Sequence, residues 1–395
     1  MLVFSALLVM MSPFFLPPQE KVLEEVLAGC RRCDERGVVD CMAHQKVGLQ
    51  EEHFVPYCSV AAQCDSCSGA LLLDCPHCDG GPDSMALEAR KALVARWLTK
   101  ESAPEVLLEK KFLRLETDAF HLLFDVEKVK NEKKMKDPHH FAHFLMRRLE
   151  GTAEIFRDHF QAKPHHLISP ISIWWFSDAK EKRKVMEDVL MISSGGDIKK
   201  YTRNPVYCAD ATESAIQSSG PMLEAATVHN AVHILLFDMF RESWIGEKKA
   251  GWFDAGASHW YEEYFCGRVS NYCIAEANTM VDWKNGVWRS ALRKWLARED
   301  SPVLPALVNQ HTGQLMPRDH ALSWSLFDWV VHNHPKVIQP FLMAYKEHQP
   351  TRDIFKKHLS MTVRQVEESW RKWVQKSYPT KDAKVKRRKF PKAEL

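Results

Sequence analysis

The chain has 395 residues, 45% of them apolar and 27% charged, a soluble globular composition that is long enough for two or three cored domains and excludes general disorder. Its 54 basic and 51 acidic residues leave a net charge of +3, so bulk electrostatics make no case for binding nucleic acid or a membrane surface. Partners have to be argued from sites.

The first stretch, Met1 to Leu16, is an apolar run broken only by serines and Pro13, and Pro17-Pro18-Gln19-Glu20 closes it. It is shorter than the roughly 20 residues a spanning helix needs and reads as a secretory h-region, though it lacks a basic n-region. Residues 1–19 are therefore expected to be a signal peptide or N-terminal anchor, and the protein to be exported to the periplasm, the cell envelope or the medium. An apolar N-terminal helix is the plainer alternative.

Residues 20–84 form a cysteine-rich module. Its pattern is Cys30-x2-Cys33-x7-Cys41-x2-His44, repeated 34 residues later as Cys64-x2-Cys67-x7-Cys75-x2-Cys78. With 11 cysteines in the chain, well under one CxxC is expected by chance, so three of them with a CxxH in phase point to metal. Two thiolates two residues apart grip one ion from a tight turn, and Zn2+ takes four N or S ligands, so eight ligands imply two structural zinc ions. Hairpin-like segments, Val38-Val39-Asp40 and Leu72-Leu73-Asp74, sit inside the two copies. Disulfides are the alternative for an exported chain, and His44 standing in phase with Cys78 argues against them. The edges Cys67-Ser68-Gly69 and Cys78-Asp79-Gly80-Gly81 resemble the cysteine-rich module of DnaJ-type chaperones. In that family the two outer knuckles share one metal and the two inner knuckles the other; pairing within each copy is the simpler arrangement, and both stay open.

Residues 85–110 have helical spacing and read as a connector. Phe112 to Thr117 and Phe120 to Phe124 alternate like neighbouring strands, Phe141 to Phe160 is helical, and Ile171 to Phe176 is a strand. His139, His140 and His143 read as a helix start with its solvated face, because with 19 histidines about one HxxxH arises by chance. Ser193-Ser194-Gly195-Gly196 marks a loop and Pro205 to Cys208 a short strand. Met222 to Phe240 is apolar at nearly every position, as in a helix buried on most sides, and it carries His229-Asn230-Ala231-Val232-His233. Trp252-Phe253-Asp254-Ala255-Gly256 follows.

An imidazole pair four residues apart can chelate one tetrahedral metal from a single helix. Together with Trp252, Gly256 and Tyr261 to Phe265, the pair resembles the gluzincin, or peptidase MA-like, zinc peptidases, in which HExxH is followed by W-x-x-E-G on another helix. The resemblance covers roughly Phe112 to Tyr378. It implies an α+β fold: a zincin-like domain with a small twisted sheet and an active-site helix (111–265) and a helical C-terminal subdomain (266–378). Lys381 to Lys392 carries seven Lys/Arg and few apolar groups, so 379–395 reads as a basic disordered tail. The resemblance also implies an edge strand along the substrate cleft, for which Pro205 to Cys208 is the counterpart by order. The departures fall on the functional positions, since Asn230 stands where the family has its general base and Ala255 where it has its third zinc ligand.

Asn230 has no basic lone pair near neutral pH, and Ala255 offers no ligand atom. Glu262 and Glu263 lie about two helical turns beyond Ala255, too far along the axis for a ligand. His259 is the one substitute on the face of Ala255. His229 and His233 are thus either a residual zinc site or buried, hydrogen-bonded core histidines. The resemblance implies a catalytically inactive metallopeptidase homologue that binds protein or peptide in the inherited cleft; the alternative is an active zinc metallopeptidase with a rearranged metal site. Cys266 and Cys273 read as a bridge or as ordinary buried thiols.

Overall fold

A computed structural model describes residues 30, 32–42, 57–78, 81–131, 134–167, 170–192, 198–199, 206–211, 219–273 and 283–382. The segment Met1 to Leu16, His44, the loop Ser193 to Gly196, Pro205 and the basic tail after Asp382 lie outside the described residues. The chain divides into two compact units, Met1–Gly48 with Ala61–Thr99, and Leu49–Val60 with Lys100–Leu395. Among the described residues no helix is long and apolar enough to cross a membrane.

Three short strands come first: β1 (Val38–Asp40), β2 (Tyr57–Cys58) and β3 (Leu72–Asp74). In the first unit β1 and β3 pair antiparallel with Val38 opposite Asp74, so the hairpin-like segments of the two cysteine copies are partners of each other. Helix α1 (Ser84–Leu98), read from sequence as a connector, places Leu87 in a small core with Val38 and Ala70. That core is too small to hold the unit on its own.

The second unit begins with β2 and continues through α2 (Ala103–Leu108), β4 (Leu113–Glu116), β5 (Phe120–Phe124), β6 (Val129–Asn131), β7 (Lys134–Lys136), α3 (Pro138–His159), β8 (Ile171–Phe176), α4 (Ala179–Asp188), β9 (Ile198–Lys199) and β10 (Val206–Asp210). The mixed sheet has the order β2-β4-β5-β8-β10-β9, with β5, β8 and β10 parallel and the remaining pairs antiparallel. The predicted hairpin is β4–β5, and β10, the counterpart of the expected cleft strand, lies one place in from the edge. Alternation along β8 decides the layers. Trp174 and Phe176 join Phe112, Val185 and Met186 on one face. On the other, Trp175 Nε1 donates to Thr227 Oγ1 at 3.0 Å.

Thr227 belongs to α5 (Gly220–Asp238), the helix read as buried, and nearly every residue from Leu223 to Asp238 is buried. Against it pack α3 and α6 (Gly251–Cys266). Then come α7 (Arg289–Leu296), α8 (Leu304–Leu307), α9 (Pro317–Asn333), α10 (Ile338–Lys346), α11 (Thr351–Leu359) and α12 (Val363–Ser377), so the later part of the chain is helical as expected. The motif residues of α6 have structural jobs there. Trp252 is fully buried and donates from Nε1 to Tyr345 Oη at 2.9 Å. At Gly256 a Cβ would come 2.5 Å from the Ser323 carbonyl oxygen, so the glycine lets α6 and α9 approach backbone to backbone.

Candidate functional site

In the cysteine unit, Cys30, Cys33, Cys75 and Cys78 converge on one point, and Cys41, Cys64 and Cys67 on another. The β1–β3 pairing brings the first knuckle beside the fourth and the second beside the third, which settles the choice the repeat left open. Cys30 and Cys75 Sγ are 3.8 Å apart, Cys33 and Cys78 3.6 Å, and Cys41 and Cys64 3.8 Å. Bonds of about 2.3 Å at tetrahedral angles give an S···S edge of about 3.8 Å. A disulfide needs about 2.05 Å. The thiols therefore stand where ligands of a zinc-sized ion would, and the outer set is complete. His44, the expected fourth ligand of the inner set, lies outside the described residues.

The second unit holds another cluster, on α5. His229 Nε2 and His233 Nε2 are 3.2 Å apart, and Cys273 Sγ lies 3.2 Å from the first and 3.0 Å from the second. The three atoms form a nearly equilateral triangle. Each imidazole nitrogen has one in-plane direction, for a proton or for a lone pair, so hydrogen bonds cannot satisfy all three edges at once. One cation over the centre can. Tetrahedral zinc would set the N···N edge near 3.3 Å and the N···S edges near 3.5 Å, within about half an ångström of the triangle.

The far nitrogens are held as well. His229 Nδ1 donates to Glu262 Oε2 at 3.0 Å, and His233 Nδ1 donates to Asp254 Oδ1 at 2.8 Å. Asp254 Oδ2 in turn accepts from Thr312 Oγ1 at 2.6 Å. Carboxylates on the outer nitrogens fix ring orientation and point each Nε2 inward, as second-layer partners do at metal centres. Sequence reasoning placed Glu262 too far away for a ligand. The structure uses it one ring further out, where the distance along α6 suits it.

Cys273 arrives through the end of α6. Gly267, at φ +80, closes the helix in the left-handed region, its N–H bonded to Glu263 O, and turns the chain back. Glu262 Oε1 then accepts from Ser270 N, Asn271 N and Asn271 Nδ2 at 2.5, 3.2 and 2.8 Å. One glutamate thus orients His229 with one oxygen and holds the returning chain with the other. Nothing in the spacing of Cys273 signals this, because its place depends on a turn.

Charges in the cluster favour a thiolate between two imidazoliums when no cation is bound. Burial raises the Cys273 thiol, but His233 and His229 outweigh it and bring it down to about 6. Burial lowers both histidines, yet Cys273 and Glu262 push His229 up to about 9, and Asp254 and Cys273 push His233 up to about 10. Next to them His259 is held well below the usual histidine range by burial and by its histidine neighbours. Its Nε2 lies 2.8 Å from His320 Nδ1, and the ligand atoms of His259, His320 and Cys273 lie within 4.8 Å of one another, so it belongs to a second group that shares Cys273 with the triangle. His320, on α9, has no marker in residue spacing; burial and the charges of His229 and His233 bring it down to about 3, and its ligand atom lies within 4.8 Å of Cys273.

Asn230 is turned away from the cluster. Its Nδ2 donates to Ala226 O at 2.9 Å, one turn back on its own helix. Ala255 is buried in α6 beside Asp254. Cys266 is buried at the end of α6, and Cys273 takes the histidine pair instead of bridging to it. His143, read as part of a solvated helix face, is only 1% exposed. No protein-family model matches this chain, and no curated protein matches it significantly.

Proposed function

We propose that the second unit is a zincin-like domain that has kept a metal and lost peptide hydrolysis, and that the protein works as a catalytically inactive gluzincin-type homologue binding protein or peptide. The cysteine-rich unit is then a DnaJ-like structural module with two zinc ions. The observation that carries the reading is the combination at α5: His229, His233 and Cys273 converge as a ligand set, while Asn230, at the position of the general base, bonds back to Ala226. Zinc in such a set would be held by two neutral imidazoles and one thiolate, and would tie α5 to the chain that returns from α6.

A zinc peptidase needs a metal that acidifies water and a carboxylate that takes the proton. A thiolate ligand lowers the net charge of the centre to about +1, which weakens the acid, and general-base help worth about 10^2- to 10^4-fold is missing. Glu262 and Asp254 cannot supply it, since both are committed to the outer nitrogens of the histidines. The peptide- or protein-binding part of the proposal comes from the inherited cleft, and export from the apolar segment Met1 to Leu16.

Hydrolysis by a rearranged site has one observation in its favour, the buried and uncharged His320 beside Cys273. Cleavage of a degenerate peptide library by the purified full chain decides between the two. The proposal predicts no cleavage with zinc bound. Cleavage abolished both by a chelator and by His229→Ala would overturn it, and loss in His320→Ala would then identify the base.

A further inference from the structure

A second histidine pair repeats the arrangement in a place to which the zincin comparison assigns nothing. His139 and His143, four apart on the first turns of α3, have Nε2 atoms 3.0 Å apart, and Cys58 Sγ lies 3.2 Å from His139 Nε2. The rings meet edge to face, with centroids 4.7 Å apart and planes at 71°, against 4.9 Å and 71° for His229 and His233. Cys58 is 5% exposed and His143 1%. The three ligand atoms all lie within 4.8 Å of one another.

The same valence argument applies. His139 Nε2 has a single in-plane direction and faces both a thiol and a second imidazole nitrogen, so one proton or one lone pair cannot serve both. A cation at the shared point serves all three. We infer that Cys58, His139 and His143 form a further zinc site of the His2Cys type, distinct from the cluster on α5 and from the cysteine module.

The fold gives such a site a task. Cys58 is on β2, a strand of two residues whose ladder to β4 pairs only Tyr57 with Glu116 and Cys58 with Leu115. Ser59 adds a bond from its N–H to Arg114 O and another from Arg114 N–H to its own Oγ, each 2.9 Å. So short a strand buries little, and its order has to come from elsewhere. A metal joining Cys58 to the start of α3 would fasten β2 to that helix within the second unit. One thiolate and two imidazoles suit Zn2+, and three ligands leave one tetrahedral position for water or a further side chain.

The test is the number of zinc ions on the full chain, counted by native mass spectrometry after loading with zinc alone. His139→Ala with His143→Ala should remove one ion, His229→Ala with His233→Ala should remove a different one, and all four substitutions together should remove two. A histidine 139/143 variant that keeps the full number would overturn the inference and leave the α5 site untouched. Should that variant fail to fold, the unmodified protein gives a second measurement, the rate of Cys58 alkylation with and without zinc. Cys208, buried in the sheet, is the internal control. Removing zinc should speed modification of Cys58 at least tenfold relative to Cys208, and an unchanged ratio would overturn the inference.

Discussion

Replacing Asp254 by Asn removes one charge from behind His233. The amide oxygen can still accept from His233 Nδ1 and the amide nitrogen can donate to Thr312 Oγ1, so both contacts survive. The carboxylate stands 2.8 Å behind Nδ1. The ring and a metal bond add about 4 Å, so it acts on the metal position from about 7 Å. With the thiolate of Cys273 bringing the centre to about +1, two unit charges at that distance and an effective dielectric of about 20 interact by about 2.4 kcal/mol. That is about 55-fold in affinity, inside the roughly 10- to 100-fold range for losing an outer partner of a metal-bound histidine. The assay is competition for zinc between the metal-stripped full chain and a chromophoric chelator, with circular dichroism to confirm folding. One site should weaken by about 50-fold and the others should not move. A folded Asp254→Asn protein whose affinities all stay within twofold would refute the claim that His233 is a ligand oriented by Asp254.

Four further outcomes are expected. Zinc binding at the α5 cluster at pH 8 should release about two protons, because His229 and His233 are still protonated with values about 9 and 10 while Cys273, at about 6, is already ionised. Apparent affinity then climbs about a hundredfold per pH unit there; calorimetry in buffers of different ionisation enthalpy, referenced to the His229→Ala/His233→Ala protein, would contradict this with about one proton, the number for unperturbed groups. In the metal-free protein His229 and His233 contribute stability that is fully present below pH 6.5 and is lost as pH rises through about 9 to 10, whereas the Cys273 contribution is lost as pH falls through about 6. Chelation should abolish amide protection in Val38–Asp40 and Leu72–Asp74 and leave Phe120–Phe124 and Ile171–Phe176 protected, since only the cysteine unit depends on metal for its core; hydrogen exchange that leaves β1 and β3 protected would contradict it. Glu224→Ala removes the carboxylate that pairs with the buried Arg148, whose Nε lies 2.6 Å from Glu224 Oε1, and should cost about 3 to 5 kcal/mol in denaturant unfolding; a loss under about 1 kcal/mol would show the pair to be dispensable.

The parts of this fold that repeat locally were legible in the sequence. Alternation marked β4 and β5 because each buries one side, and the unbroken apolar run of Met222 to Phe240 marked α5 because it is covered nearly all round. The knuckles announced their own chemistry through spacing. Their pairing did not, since it depends on β1 lying against β3 across the two copies. Cys273 was opaque for a similar reason: a helix end at Gly267 and three bonds to Glu262 place it, and neither has a periodic signature. His143 misled because chance explains its spacing as well as metal does, and only its packing against Cys58 separates them. Glu262 was judged by its reach to a metal, when its role is to reach the outer nitrogen of the ring beside it.

The central claim is that the histidine pair on α5 is a metal centre completed by Cys273. Diffraction from crystals of the unmodified protein on both sides of the zinc absorption edge tests it most directly. The account predicts an anomalous peak among His229 Nε2, His233 Nε2 and Cys273 Sγ, about 2.0 to 2.1 Å from the nitrogens and about 2.3 Å from the sulfur. Peaks in the cysteine unit with none between these three atoms would contradict it, and would make His229 and His233 core histidines.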